Sequence, residues 1–138
     1  MASYTKFNDF VQDLGTEVHN LSSDTLTIAL CATANAPVAT NGQLSDLTEI
    51  AYTNLSTRVL TTTSFTNTTG TSKLILADLT LTASGGAVAA FQYVVIYNES
   101  AANDELVAFY DYGSALTLAD GESIKLDFDG SNGVLTLA

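Results

Sequence analysis

One histidine and one cysteine are all the chain offers for nucleophile activation or soft-metal binding. A Ser-His-Asp hydrolase would have to route its proton through His19, and no nucleophile-elbow turn accompanies it. His19 follows an apolar, helically spaced segment, so it is expected at a helix C-terminus, where a cation suits the helix dipole. Cys31 lies in an apolar run and reads as a small buried hydrophobe. It has no cysteine partner for a disulfide, and one Cys with one His cannot close a tetrahedral zinc site. No catalytic residue and no cofactor site is expected, and the chain reads as a non-enzyme.

Carboxylates are the remaining source of chemistry. Asp127-Phe128-Asp129-Gly130-Ser131-Asn132-Gly133 places alternate hard oxygens in a turn, the raw material of a calcium loop. The spacing does not complete that loop: Ser131 and Asn132 are out of register and no closing Glu follows. Asp127 and Asp129 are therefore expected to shape an Asp/Gly/Asn turn, with no bound metal. Glu99, Asp104 and Glu105 read as a solvated acidic loop. Gly85-Gly86 opens another strand instead of a helix, so it is no phosphate cradle. Tyr93, Tyr97, Tyr110 and Tyr112 have the chemistry to line a sugar site; on neighbouring strands they are expected as core or interface.

The elements that position these residues are mostly strands. Thr-rich, Lys-poor composition favours a pleated surface. Phe7, Phe10, Val11, Leu14 and Val18 recur at helical spacing, which predicts one amphipathic helix over 5–18. Thr25 to Cys31 alternates as a half-buried strand, Ala34 to Gln43 reads as a loop, and Asp46 to Ile50 as a helical turn capped by Ser45. Strands are expected at Thr57 to Phe65, Lys73 to Thr82, Val88 to Tyr97, Leu106 to Tyr112, Leu116 to Leu118, Ile124 to Phe128 and Val134 to Leu137. Val88 to Tyr97, apolar at both parities, should be central. Between Leu76 and Leu79 the alternation changes phase at Ala77-Asp78, which predicts a bulge, a bend or a change of sheet. About eight short strands with regular turns point to a single domain over 1–138, an antiparallel, jelly-roll-like β-sandwich.

Charge narrows the partners. Four basic residues stand against fifteen acidic ones, a formal net charge of −11. Such a surface repels nucleic-acid phosphates and anionic membranes and favours solubility or a basic protein partner. The N-terminal segment lacks the apolar core of a signal peptide, and no apolar run reaches membrane-spanning length. Folding in a cytoplasm is the corresponding expectation.

The order of segments is itself distinctive: an amphipathic start, "HNLSSDTLTIAL", "DLTEIA", "LILADLTLTASGGAVAAFQYVVIYNESA", "DELVAFYDYGSALTLADGESIKLDFD" and "GVLTLA". This text resembles a family of small structural proteins of tailed bacteriophages, most clearly over Leu76 to Asn98 and Tyr112 to Asp127. The resemblance implies a virion component assembled in the host cytoplasm, a decoration (cement) protein on the capsid surface. It implies the major capsid protein as partner and a homo-oligomer, a trimer by family analogy. A tail- or fibre-associated module binding a receptor or carbohydrate is the alternative within the same group. The resemblance contributes no catalytic motif.

Overall fold

Apolar residues at both parities make the segment from Val88 to Asn98 impossible to leave on a surface, and the chain builds two layers around it. The computed structural model describes residues 2–138. Their elements are β1 (Ser3–Lys6), α1 (Phe10–Gly15), β2 (Leu26–Cys31), β3 (Thr62–Thr68), β4 (Thr71–Leu76), β5 (Leu79–Thr82), β6 (Val88–Asn98), β7 (Leu106–Leu118), β8 (Ser123–Leu126) and β9 (Leu135–Leu137). All pairings are antiparallel. The four-stranded sheet runs β1-β7-β6-β2, so β6 is central as its composition requires; a three-stranded sheet runs β3-β4-β9, and β5 pairs with β8.

Two apolar clusters follow from strand parity. Leu26, Ile28 and Leu30 of β2 join Val94 and Ile96 of β6 in the main core, with Leu74, Leu76, Leu81 and Leu135 from the smaller sheets. Ala29 and Cys31 join Tyr93, Val95 and Tyr97 on the other face, covered by Phe7 and by Leu44 and Leu47 from a long connection. That connection also covers the outer edge of β2. Ile50 N donates to Leu30 O, Ile28 N to Arg58 O, and Leu60 N to Leu26 O. Arg58 lies over the Tyr52 ring, 3.7 Å from its centroid, and donates to Ile28 O. A strand edge that would otherwise expose unpaired backbone is thereby occupied.

The phase change at Ala77-Asp78 is a change of sheet: β4 ends at Leu76 and pairs with β3 and β9, whereas β5 begins at Leu79 and pairs with β8. Asp78 fixes the crossing by accepting from Phe128 N at 2.9 Å and pairing with Lys125 at 2.6 Å. The mainly β, antiparallel sandwich with one short helix near its N-terminus is therefore as its patterning requires.

Several boundaries differ from the sequence reading. Residues 5–18 are not one helix. Ser3–Lys6 pairs with β7, Phe7 N continues the ladder to Val107 O, and the helix spans only Phe10–Gly15. Phe7 and Phe10 are both fully buried but in different clusters, so their spacing is not one stripe. Val11, the next residue of the supposed stripe, is 53 % exposed. The helical turn expected at Asp46 to Ile50 lies earlier, at Leu44–Asp46, with Gln43 and Asp46 forming its capping box. Thr57 to Thr61 precedes β3 and pairs with β2 as a single isolated bridge, Thr27–Val59, flanked by the backbone bonds of Arg58 and Leu60. Leu106 to Leu118 is one strand, because Gly113, at φ +91°, sits in a bulge where Gln92 of β6 stands against the four residues Tyr112 to Ala115 of β7. The described residues carry nine strands, in keeping with the expected number of about eight.

Because Phe7 and Phe10 pack in separate clusters, Phe7→Leu and Phe10→Leu should each lower stability by about 1–2 kcal/mol. Their losses should add in the double variant to within about 0.5 kcal/mol. Val11→Ser should be neutral within about 0.5 kcal/mol. Urea unfolding of the four variants checks all three; strong coupling between the Phe substitutions would contradict the separation.

Candidate functional site

His19 does not end a helix. It lies beyond α1, 4 % exposed, with its ring stacked on Phe10 at a centroid distance of 5.3 Å and 30° between planes. Asn98, also buried, donates from Nδ2 to His19 Nδ1 at 3.0 Å and to Asp24 Oδ2 at 2.6 Å. Asn98 Oδ1 accepts from Ser100 N at 3.0 Å. Burial lowers the proton affinity of the imidazole below the ordinary histidine value, against the opposing pull of Asp13, Glu105 and Asp24. A ring held in this way has no free nitrogen at the surface to act on a substrate.

Cys31 belongs to the second cluster and is fully buried. Burial first, and the nearby Glu49 carboxylate second, push its thiol up to about 11. No hydrogen bond links it to His19. It is a core residue with a sulfur atom.

The acidic residues separate into unrelated local tasks. Asp129 Oδ1 accepts from Ser131 N at 2.8 Å and Asn132 N at 2.7 Å, and Oδ2 accepts from the Asn132 side-chain amide at 2.9 Å. These bonds hold its carboxyl below the usual range and direct its lone pairs into its own turn. Asp127 lies elsewhere, in the lining of a cavity described below. Glu99 accepts from the Thr27 hydroxyl at 2.6 Å, and Glu105 from the Asn103 side-chain amide at 2.9 Å. Glu105 shares a cleft with Asp9, Asp13 and Asp46, three acids distant in sequence. Sequence spacing gives no sign of that grouping, because Leu106 N donating to Gly42 O and Leu44 N to Asp104 O bring the connection alongside β7. Backbone N–H groups of Gly42 and Gln43 hold the Asp46 carboxyl below the usual range, whereas burial raises that of Asp13. Among the described residues no group of three or more His, Cys, Asp or Glu is placed to hold a metal ion.

The tyrosines also divide. Tyr93 and Tyr97 are buried in the second cluster, Tyr110 is half-buried, and Tyr112 is 50 % exposed. Tyr4, 40 % exposed, stands opposite Tyr110 across the β1–β7 ladder with ring centroids 5.3 Å apart. Tyr110, Tyr112 and Leu116 of β7 face Ile124, Leu126 and Phe128 across a cavity of about 160 Å³ with almost wholly apolar walls. Burial pushes the Tyr110 hydroxyl up to about 12, so it stays protonated at neutral pH. This volume is below the roughly 300–1,000 Å³ of small-molecule sites, and suits one apolar side chain better than a sugar ring. Sequence reasoning found the tyrosines; it missed the wall from Ile124 to Phe128, because β8 reaches β7 only through tertiary packing.

Comparison with protein-family models, with curated proteins and with solved structures returns no match, so the side chains and the fold carry the functional reading.

Two measurements check these assignments. The Cys31 thiol should resist a thiol-specific chromogenic reagent at pH 8 in the folded protein and react fully after denaturation. Calcium should leave the melting temperature unchanged; a rise abolished by Asp129→Ala would give the Asp129 turn a metal-binding role.

Proposed function

We propose that the chain is a virion structural protein, a capsid decoration protein that binds the major capsid protein and stabilises the head shell by bridging neighbouring subunits. The observation that carries the reading is the apolar cavity of β7 and β8, flanked by exposed Tyr112, on a domain with a net charge of −11. An apolar socket with an aromatic rim is the anatomy of a protein–protein anchor point. The net negative charge of the domain suits Lys or Arg on a partner and steers its approach. The resemblance of Leu76 to Asn98 and Tyr112 to Asp127 to small structural proteins of tailed bacteriophages supports a shell as that partner. By the same analogy the protein acts as a homo-oligomer, a trimer, on the capsid surface. Weak contacts repeated over a lattice give a shell large resistance without any one tight site.

The reading includes no catalytic step. The buried state of His19 and Cys31 supports that, as does the commitment of Asp129 to its own turn. The tail- or fibre-associated reading draws on Tyr112 itself, since an exposed aromatic beside a groove is also how a carbohydrate-binding rim begins. The size and apolarity of the cavity favour a protein side chain.

Phage particles bearing this protein should survive heating or osmotic shock that ruptures particles lacking it. Equal robustness, or labelling confined to the tail, would defeat the decoration reading. Tyr112→Ser should weaken binding to depleted heads about tenfold or more, the effect of losing a rim anchor of about 1.4 kcal/mol or larger. Detachment should become easier at high salt if basic partner residues contribute.

A further inference from the structure

The histidine that the proposed assembly leaves unused is held in a way that a proton would undo. The connection from α1 to β2 is tied to the β6–β7 turn by a short relay. Asp24 accepts from Asn20 N at 2.7 Å and from Asn98 Nδ2 at 2.6 Å, and the same Asn98 amide donates to His19 Nδ1 at 3.0 Å. Thr25 N donates to the Ser100 hydroxyl and Glu99 N to Thr25 O, which close the seam. Nδ1 is thus an acceptor, and the neutral ring carries its proton on Nε2, a buried atom with no hydrogen-bond partner among the described residues.

We propose that His19, Asn98 and Asp24 form an acid-released clasp: a proton taken from solvent onto His19 Nδ1 breaks the bond to Asn98 and frees the α1–β2 connection from the β6–β7 turn.

The relay cannot adapt by turning the Asn98 amide over. Ser100 N holds Oδ1, and a flip would set that oxygen against the Asp24 carboxylate as well as forfeit the Ser100 bond. Protonation therefore sets an N–H donor against an NH₂ donor inside a seam where the ring is 4 % exposed and stacked on Phe10. The charged groups around the ring are Asp13 of α1, Asp24 of the connection and Glu105 of the β6–β7 turn. All three attract an imidazolium, but burial outweighs them while the seam is closed. Opening the seam removes the burial penalty and leaves the carboxylates, so the proton is bound more tightly by the open form. A folded-state proton affinity below the unfolded one means that the contribution of His19 is full above the ordinary histidine range. That contribution is lost as pH falls through the folded value.

With one histidine in the chain, its Cε1–H resonance is unambiguous. In the full-length protein the folded titration midpoint should be shifted below that of the urea-unfolded chain, with ring nitrogen shifts of the Nε2–H tautomer above it. Amide-exchange protection, corrected for intrinsic rates, should fall at 19–25 and 98–105 as pH passes through the midpoint, while the β2, β6 and β7 ladder amides stay protected. His19→Gln, which keeps an acceptor for Asn98, should abolish this pH-dependent loss. A midpoint at or above the unfolded value, an Nδ1–H tautomer, simultaneous loss of ladder protection, or an unaltered pH response in His19→Gln would each overturn the clasp. The titration and tautomer are read on the native sequence, so they decide the matter even if the variant does not fold.

Discussion

Burial of β6 on both faces is the constraint from which the architecture follows. Val94 and Ile96 point one way, Tyr93, Val95 and Tyr97 the other, and neither set can meet water without losing the driving force for folding. The smaller sheets cover the first face, which makes the sandwich. The second face has no sheet to cover it. Phe7 and the connection bearing Leu44 and Leu47 do so instead, and a coat with no regular structure beyond short helical turns must satisfy much of its backbone elsewhere. It does this on the edge of β2, so covering a face and protecting an edge are done by one segment.

Electrostatics follow from how few cations there are. Lys125 is held by Asp78, Arg58 by the Tyr52 ring and the Ile28 carbonyl, and Lys73 by the carbonyl of Ser131. Three of the four basic side chains are thus committed within the molecule, and the carboxylates on the surface are almost unopposed. Any protein partner meets a negative field broken by a small apolar opening between β7 and β8. Contact with a basic surface is favoured at long range and decided at short range by what enters that opening.

Where one periodicity governed a segment, the sequence was readable. Period-two alternation located β2 to within a residue, and the phase change between Leu76 and Leu79 located the crossing between sheets. The reading failed where two short elements adjoin. A four-residue strand, a tight reversal at Asn8-Asp9 and a six-residue helix together imitate a single helical stripe, because Phe7 and Phe10 stand three apart. Gly113 looked like a strand end and is a bulge. The strand expected from Thr57 begins only at Thr62, because from Thr57 to Thr61 only Val59 finds a bridge partner. At the site, residue types were visible and groupings were not: the cleft of Asp9, Asp13, Asp46 and Glu105 exists only after tertiary folding.

The pairing of β1 with β7 sets the order in which the molecule can assemble. Ser3 stands opposite Asp111 and Lys6 opposite Ala108, so the first strand has no ladder partner until most of the chain has been synthesised. The β3–β4 hairpin, closed by Thr69-Gly70 with both residues at positive φ, needs nothing distant and can form at once. Loop closure over such a separation makes folding slow relative to a protein of local contacts. On the ribosome, Phe7 and Phe10 therefore wait uncovered while later strands emerge. During that wait like charges along the chain hold nascent copies apart, so the excess of carboxylates serves the unfinished protein before it serves the finished one.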